Sequence, residues 1–181
     1  IFGLYGCWLA SASFDGTIRL FDLTNADFST TVLRGHSAPI LSIAISANGR
    51  WLASVSNDNT ARLWDLQSDD PASNSLLLPG HQNIVGHLAF SPDNRWLVTA
   101  SADTTARLWN LAAHNPAEAP IILHGHEGSV NSVAFSPDNR WLATCGKDDQ
   151  VRLWPLTSED ISAKSVIFYA HEDIVYEVAF S

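Results

Sequence analysis

The sequence predicts an all-β protein, a β-propeller built from four repeat units. A Gly-His pair and a Trp-Leu pair each recur at intervals of 45 residues, and the 181 residues hold about four such intervals. Between these markers, short runs rich in β-branched and aromatic residues alternate with turn residues, which is typical of antiparallel strands joined by tight hairpins. A period of about 20–50 residues is typical of repeat architectures, so the spacing defines the units.

Three pairs of residues set the phase of the repeat. The Gly-His pair occurs at Gly35-His36, Gly80-His81 and Gly125-His126, and as the variant Ala170-His171. The Trp-Leu pair begins at Trp51, Trp96 and Trp141, and also at Trp8, which lies 43 residues before Trp51. A Leu-Trp pair occurs at Leu63-Trp64, Leu108-Trp109 and Leu153-Trp154, with Leu20-Phe21 as a degenerate first copy. The first unit is therefore expected to have a shorter connecting loop.

The unit at 125–169 illustrates the predicted elements. Ser136-Pro137-Asp138-Asn139 predicts a turn, because Pro fixes φ at the first corner while Asp and Asn tolerate the second. Lys147-Asp148-Asp149 predicts a second, tighter turn. The four predicted strands of this unit are 130–135, 141–146, 151–156 and 165–169. Four short antiparallel strands in about 45 residues form one blade of a propeller.

Five parts of this unit carry a family resemblance. They are Gly125-His126, Ala134-Phe135-Ser136-Pro137-Asp138, Trp141-Leu142-Ala143-Thr144, Asp148 and Arg152-Leu153-Trp154. The set resembles the WD40 repeat, and the resemblance covers essentially the whole chain. A pattern of several parts that recurs three times in register is more specific than a single Trp-Asp pair. The departures from it are Phe21 for the strand Trp, Ala170 for the Gly, and Asn110 and Pro155 for the Asp of the family name.

This phase predicts three complete four-stranded blades with partial blades at both ends. The expected units are a partial blade at 1–34, blades at 35–79, 80–124 and 125–169, and the first strand of a next blade at 170–181. Phe2 aligns with the end of an innermost strand, and 174–180 is expected to be an innermost strand with no following three.

The incomplete ends predict that something covers two apolar blade faces, because monomers rarely expose such areas. The chain begins at Ile1 and contains no Met, so it is expected to be a piece of a larger propeller. By resemblance, WD40 propellers have about seven or eight blades. The alternative is that 174–180 completes the first blade of the same chain or of a second copy.

The composition excludes several classes of protein. With 46% hydrophobic and 16% charged residues, the chain reads as soluble and globular, and no apolar run approaches the roughly 18 residues of a bilayer span. The net charge of −9 opposes a phosphate backbone, so nucleic acid and membrane are not expected partners. Cys7 and Cys145 form neither a disulfide framework nor a metal pattern, which predicts a reducing, cytoplasmic location.

The resemblance implies a structural role for the recurring polar residues. In WD40 repeats a His, a strand Ser or Thr, a turn Asp and a strand Trp form a hydrogen-bonded chain that fixes the blade. The matching positions are His36, Ser54, Asp58 and Trp64; His81, Thr99, Asp103 and Trp109; and His126, Thr144, Asp148 and Trp154. The first unit keeps only Ser11 and Asp15.

An enzyme is the competing interpretation, because Ser, His and Asp also make up an acyl-transfer triad. An active site is normally built once, whereas this set occurs three times at one spacing. No nucleophile elbow, phosphate-binding Gly-rich loop or zinc-protease helix motif is visible. His124 and His126 share a strand face but have no third ligand, and His87 and His114 also lie outside the repeat pattern. We therefore expect no catalytic residue, no cofactor and no metal.

Partner recognition can be encoded where equivalent positions differ between units. A first row precedes the turn Asp, at Phe14, Asn57, Ala102 and Lys147. A second follows the residue that opens the innermost strand, at Leu41-Ser42, Gly86-His87, Asn131-Ser132 and Tyr176-Glu177. A third follows the loop His, at Ser37, Gln82, Glu127 and Glu172. By resemblance the rows should gather on one face around the central channel, with Phe14 and Tyr176 as anchors; the alternative is an ordinary solvated surface.

These observations predict a non-catalytic scaffold or sensor module that binds a protein or peptide on the loop face. Close repetition of Ser-Pro-Asp-Asn-Arg-Trp-Leu resembles the WD40 arrays of bacterial multidomain signalling proteins. The alternative is a regulatory propeller belonging to a multidomain peptidase, kinase or ATPase. Catalysis or small-ligand binding in the channel would require a unique polar cluster, which the sequence does not reveal.

Overall fold

The computed structural model describes residues 8–24, 27, 29–158, 160–169 and 171–181. These residues form fifteen β-strands. The strands are β1 (Trp8–Ala12), β2 (Thr17–Asp22), β3 (Thr30–Arg34), β4 (Ile40–Ile45), β5 (Trp51–Ser56), β6 (Ala61–Asp65), β7 (Ser75–Leu78), β8 (Val85–Phe90), β9 (Trp96–Ser101), β10 (Ala106–Asn110), β11 (Ile121–Leu123), β12 (Val130–Phe135), β13 (Trp141–Gly146), β14 (Val151–Pro155) and β15 (Val166–Phe168). No helix occurs in the described ranges.

The strands form four antiparallel sheets, and each sheet is a simple meander. The first sheet has the order β1-β2-β3, and the next three have the orders β4-β5-β6-β7, β8-β9-β10-β11 and β12-β13-β14-β15. The innermost strands β4, β8 and β12 lie next to one another in succession. The all-β propeller is thereby confirmed, and in the described part of the chain the first and fourth sheets do not meet to close a ring.

The hairpin between the first and second strand of a blade needs a residue in the left-handed region. Asn94 (φ 61°) and Asn139 (φ 58°) supply it in the third and fourth sheets, and Gly49 (φ 71°) supplies it in the second. The two asparagines also reach the preceding blade. Asn94 Oδ1 accepts the backbone N–H of Asn48 at 2.9 Å, and Asn139 Oδ1 accepts that of Asp93 at 3.1 Å. These side chains therefore link neighbouring turns.

Each hydrophobic cluster spans two neighbouring sheets. Trp109 of the third sheet packs in one cluster with Leu63 and Leu78 of the second sheet. The other two clusters have the same composition, with Trp64 beside Leu20 and Leu33, and Trp154 beside Leu108 and Leu123. Trp64, Trp109 and Trp154 therefore each close the joint between their own sheet and the sheet before it.

The outermost strand of the fourth sheet has no such cover in the described residues. Leu33, Leu78 and Leu123 occupy one position of the repeat and are at most 1% exposed. Phe168 stands at the same position and is 47% exposed, and Val166 beside it is 50% exposed. The exposed face is thus the one that a following Trp covers elsewhere.

The Gly of the Gly-His pair is required by an arginine of the same blade. Gly80 has a φ of 121° and Gly125 has one of 134°, a region in which L side chains are strained. The guanidinium of Arg107 donates to the Gly80 carbonyl at 2.7 Å, and that of Arg152 donates to the Gly125 carbonyl at 2.6 Å. A Cβ at either glycine would collide with the guanidinium.

The C-terminal segment, expected to be the first strand of a next blade, docks on the fourth sheet without a strand paired to it. Residues 174–180, all of them described, form no β-ladder, because a strand is defined by a hydrogen-bonded neighbour and this segment pairs with none along its length. The Val175 N–H nevertheless donates to the Gly146 carbonyl at 3.0 Å, just as the Ile40 N–H donates to the Ser13 carbonyl at 3.3 Å. The segment therefore docks where the next innermost strand would begin.

Smaller differences concern the ends of strands. The third strand of the 125–169 unit ends at Pro155 instead of residue 156, and the fourth is limited to Val166–Phe168. The expectations for Phe2, Cys7 and Ala170 lie outside the described residues.

Candidate functional site

Three blades hold the same chain of four side chains. In the third sheet, His81 Nδ1 lies 2.8 Å from Asp103 Oδ2, and His81 Nε2 lies 2.9 Å from Thr99 Oγ1. The Trp109 indole N–H donates to the same hydroxyl oxygen at 3.0 Å. The second sheet repeats these contacts at 2.8, 2.8 and 3.1 Å with His36, Asp58, Ser54 and Trp64. The fourth repeats them at 2.8, 2.8 and 3.0 Å with His126, Asp148, Thr144 and Trp154.

The direction of these bonds assigns the protonation state of the imidazole. The indole N–H donates to the Thr99 oxygen, so the Thr99 O–H is free to donate to His81 Nε2. Nδ1 must then carry the proton that is donated to Asp103. A second proton on Nε2 would require the Thr99 oxygen to accept two N–H groups and its own O–H to turn away from the ring, so the network favours the neutral imidazole.

Burial also favours the neutral form of the three histidines. Burial lowers the pKa of His81 below its usual 6.5, and it also lowers the pKa of His36 and His126. For Asp103, burial alone would raise the pKa, but the hydrogen bonds from Thr105, the Gln82 N–H and His81 lower it to about 2. The result is a neutral imidazole held by a carboxylate.

The turn carboxylates accept further hydrogen bonds that the sequence pattern did not predict. Asp103 Oδ2 also accepts the backbone N–H of Gln82 at 2.9 Å, and its Oδ1 accepts the Thr105 hydroxyl at 2.7 Å. Asp58 repeats the arrangement with the Ser37 N–H at 3.0 Å and the Thr60 hydroxyl at 2.6 Å. The recurrence of a hydroxyl two residues after the turn Asp was the available signal.

This geometry matches a hydrolytic triad in its distances but not in its accessibility. The Ser54 and Thr99 hydroxyls, like that of Thr144, belong to side chains that are 0% exposed. Each hydroxyl oxygen already accepts an indole N–H, so no substrate carbon can approach it. The network therefore fastens the loop that carries the histidine to the blade.

The first blade lacks this network in the described residues. Ser11 is exposed, whereas its equivalent Ser54 is fully buried. Asp15 accepts the N–H and the hydroxyl of Thr17 at 2.9 and 2.6 Å. Phe21 replaces the Trp and has no N–H to offer, so only the turn is retained.

The three variable rows lie at the same end of the blades, which we call the loop face. The row-one N–H groups bind carbonyls just before the innermost strand, as in Asn57 to Pro39 at 3.0 Å and Lys147 to Ser129 at 2.9 Å. The N–H groups of Ser37, Gln82 and Glu127 in row three donate to the turn carboxylates of their blades. Phe14 is 76% exposed, Asn57 and Lys147 are exposed, and Ala102 is half-buried.

A β-bulge explains the position of the second row. The innermost strands shift register between Ile40 and Ser42, between Val85 and His87, and between Val130 and Ser132. The extra residues are Leu41, Gly86 and Asn131. A bulge turns its residue out of the sheet and is frequent beside functional sites, and it has no signature in the sequence spacing.

Rows one and two meet in a cavity between the third and fourth sheets. The cavity has a volume of about 200 Å³. Its lining comprises Ile84, Gly86, Ala102, Ser129, Val130, Asn131 and Lys147. Phe14, Asn57 and Leu41 are not part of that lining, so the predicted set is brought together only in part.

The remaining candidates lie on the innermost strand of the third sheet and on the C-terminal segment. Tyr176 is 75% exposed, Glu177 is exposed and His87 is half-buried. The Asn131 side-chain amide donates to the Val175 carbonyl at 3.0 Å, which holds the segment carrying Tyr176 against β12.

Other chemistry has little support in the described residues. No group of three or more His, Cys, Asp or Glu side chains there could hold a metal ion. No helix in these ranges has the length and apolar character needed to cross a bilayer. Cys145 is a buried free thiol, and burial raises its pKa to about 11, so it is a poor nucleophile at neutral pH.

The chain was compared with models of protein families and with curated proteins. A family model described as "WD domain, G-beta repeat" matches residues 2–22, 28–65, 73–110 and 119–155, which together make up most of the chain. No curated protein matches the chain. Each of the last three matched stretches begins with the outermost strand of one sheet and continues through the first three strands of the next sheet.

Proposed function

Because the chain belongs to the WD40-repeat family, whose repeats generally mediate protein–protein interaction, we propose that it is a non-catalytic scaffold or sensor module. In this proposal a protein or peptide docks on the loop face around the propeller channel. The observation that carries the proposal is the cavity at which rows one and two meet between the third and fourth sheets. Positions that vary between otherwise repeated units line it.

The surroundings of the cavity suit a protein partner. Tyr176 and Phe14 are exposed aromatics on the same face as the cavity, and aromatic side chains are enriched among interface anchors. Gly86 and Asn131 are the bulged residues, and neither is paired with a residue of the neighbouring strand. A peptide can therefore contact both side chains and backbone.

The alternative is a regulatory propeller attached to an enzyme domain. Such a propeller would dock its partner on the same loop face as a free-standing scaffold. We also propose a cytoplasmic setting. The buried free thiol of Cys145 is compatible with a reducing compartment.

The test is partner capture by proximity labelling with the protein as it occurs in its parent cell. Wild type is compared with a Phe14→Ala, Lys147→Ala, Tyr176→Ala variant, which removes three exposed side chains from the loop face. A control variant, Lys164→Ala, Phe168→Ala, Tyr169→Ala, removes one Lys, one Phe and one Tyr from the outer edge of the fourth sheet.

We expect a specific protein to disappear from the loop-face variant and to remain with the control. An unchanged partner set in the loop-face variant, or a loss confined to the control, contradicts the proposal. The thermal unfolding of both variants should stay close to that of wild type, because all six side chains are exposed.

A further inference from the structure

Four polar residues occupy one position of the innermost strands. They are Ser42, His87, Ser132 and Glu177, each 45 residues from the next. The first three follow the β-bulge directly and pair with the second strand, as in His87 with Ala100 and Ser132 with Cys145. Glu177 takes the same place in the segment that docks after β12. We call these residues the channel row.

Two members of the channel row carry buried polar atoms without a hydrogen-bond partner. These atoms are Nδ1 of His87 and Oγ of Ser132. The Ser132 side chain is well enclosed, since the residue is only 2% exposed. Such atoms are rare in native proteins because an unpaired buried group costs roughly 1–3 kcal/mol. They mark a place at which a further hydrogen-bonding group, from water or from a partner, would satisfy the protein.

The two other atoms of this kind among the described residues have a simpler explanation. They are the Nε atoms of Arg62 and Arg107. Both guanidinium groups bond through another nitrogen, Arg62 to Ser75 at 2.9 Å and Arg107 to Gly80 at 2.7 Å. Among the described residues, His87 Nδ1 and Ser132 Oγ are therefore the two unpaired buried atoms that this explanation does not cover.

Glu177 lies on the segment that docks on the fourth sheet, at the position of the repeat that His87 and Ser132 occupy in their own strands. Burial lowers the pKa of His87 and the Glu177 carboxylate raises it, which agrees with this placement. Glu177 also contributes to raising the pKa of Cys145, the strand partner of Ser132. Two hydrogen bonds of 3.0 Å hold the segment two residues earlier, from Val175 N–H to Gly146 and from Asn131 to Val175.

All three groups can accept a hydrogen bond, and the negative charge of Glu177 decides the sign of the ligand they suit. A carboxylate only accepts, a hydroxyl oxygen can accept, and neutral imidazole offers one ring lone pair. Their natural counterpart is a cation with several N–H donors. We propose, on the basis of the loop-face docking proposed above, that the partner inserts a lysine or arginine side chain into the channel, where it donates to Glu177, Ser132 and His87.

The charge of the protein favours such a partner. The net charge is −9, and on the loop face the exposed cation Lys147 is accompanied by the exposed acids Glu127, Glu172 and Asp173. A negative surface accelerates the approach of a basic segment and repels an acidic one. Electrostatic attraction of the basic segment and hydrogen bonding of its side chain by the channel row therefore favour the same partner.

The test uses two small probes, N-acetyl-arginine N-methylamide and its neutral isostere N-acetyl-citrulline N-methylamide. Each is titrated into the isotopically labelled protein up to millimolar concentration while NMR follows the His87 ring and the Ser132 amide. Glu177→Gln is the test variant, and Glu172→Gln, which removes the same charge from the loop face outside the channel row, is the control.

We expect saturable shifts at His87 and Ser132 with the arginine probe, none with citrulline, and binding weakened about tenfold in Glu177→Gln but not in Glu172→Gln. Equal responses to both probes, absence of saturation, or equal weakening in the two variants would overturn the proposal. Partner capture by Glu177→Gln is then compared with capture by the loop-face variant.

If only the loop-face variant loses the partner, docking on that face holds and the cationic side chain in the channel is wrong. If neither variant loses it, both proposals fail. Loss in both variants, together with the arginine-specific shifts, supports both. An unchanged near-ultraviolet circular dichroism spectrum verifies that Glu177→Gln folds.

Discussion

Trp109 donates its indole N–H to the Thr99 hydroxyl oxygen at 3.0 Å, and both side chains are 0% exposed. The same indole packs against Leu63 and Leu78 of the preceding sheet. One residue thus ends a polar chain within its own blade and closes the apolar joint to its neighbour.

Replacing Trp109 should therefore have two separable costs. Trp109→Ala removes the joint and the donor and should lower the free energy of unfolding by about 3–5 kcal/mol. Trp109→Phe keeps most of the apolar contact but loses the N–H, which should cost less. Urea unfolding of both variants measures the difference, and an unchanged free energy of unfolding in Trp109→Ala would refute the structural role.

Stability should fall as the pH is lowered through the range of the network histidines. The pKa of His36, His81 and His126 in the folded protein is lowered below 6.5 by burial, so the unfolded chain binds protons first. The stabilisation is complete above about pH 6.5 and decreases below it. The Asp103 carboxyl, whose pKa is lowered to about 2 from 3.8, adds a second loss as the pH falls below about 4.

Urea unfolding at a series of pH values checks this dependence. His81→Gln should be less stable at pH 7 and should show a shallower decline below about pH 6.5, because one of the three groups no longer titrates. A free energy of unfolding that is constant from about pH 7.5 to about pH 5 would contradict the neutral, buried state of these rings.

Thr104 is strained by its turn. It has a φ of 71°, where a β-branched residue is disfavoured, while the equivalent residues are Asn59 at 67° and Asp149 at 62°. Thr104→Asn should raise the free energy of unfolding by about 1 kcal/mol. The reverse change, Asn59→Thr, is the matched control and should lower it by a similar amount. Two changes of the same sign in denaturant titration would disprove the explanation.

Asn94 joins two blades through one hydrogen bond to the Asn48 N–H. Asn94→Gly keeps the positive φ accessible but removes the acceptor, which should cost about 0.5–1.5 kcal/mol. Asn94→Asp retains an acceptor oxygen in the same place and should cost less. Calorimetric melting distinguishes the variants, and equal stability of the two would show that the bond contributes nothing.

The order of strands could be predicted because every blade repeats the same turn chemistry. The predicted strands 130–135 and 141–146 agree with β12 and β13, since Pro137 and Asn139 define the turn between them. Residues 174–180 have the same local pattern but form no ladder. The sequence pattern specifies only a preference for extended backbone. A β-strand also requires a second strand with which its backbone can form hydrogen bonds.

The candidate site was less predictable than the fold. Equivalence between repeats identified the variable rows, but it could not indicate that Gly86 and Asn131 are bulged or that they share a cavity with Lys147. It also could not reveal that His87 and Ser132 lack partners. Such properties arise between blades, and spacing within one unit carries no information about them.

The clusters that pair each Trp with the leucines of the sheet before it have a consequence for how such a chain can lengthen. Because every core lies across a boundary, duplicating any stretch of 45 residues, wherever it is cut, adds one whole sheet and one whole core. The point at which the duplicated stretch begins therefore makes no difference to the packing. Unequal recombination at any in-frame point should therefore yield a chain whose interior is as well packed as before, and the number of blades can change without a new design for the interior.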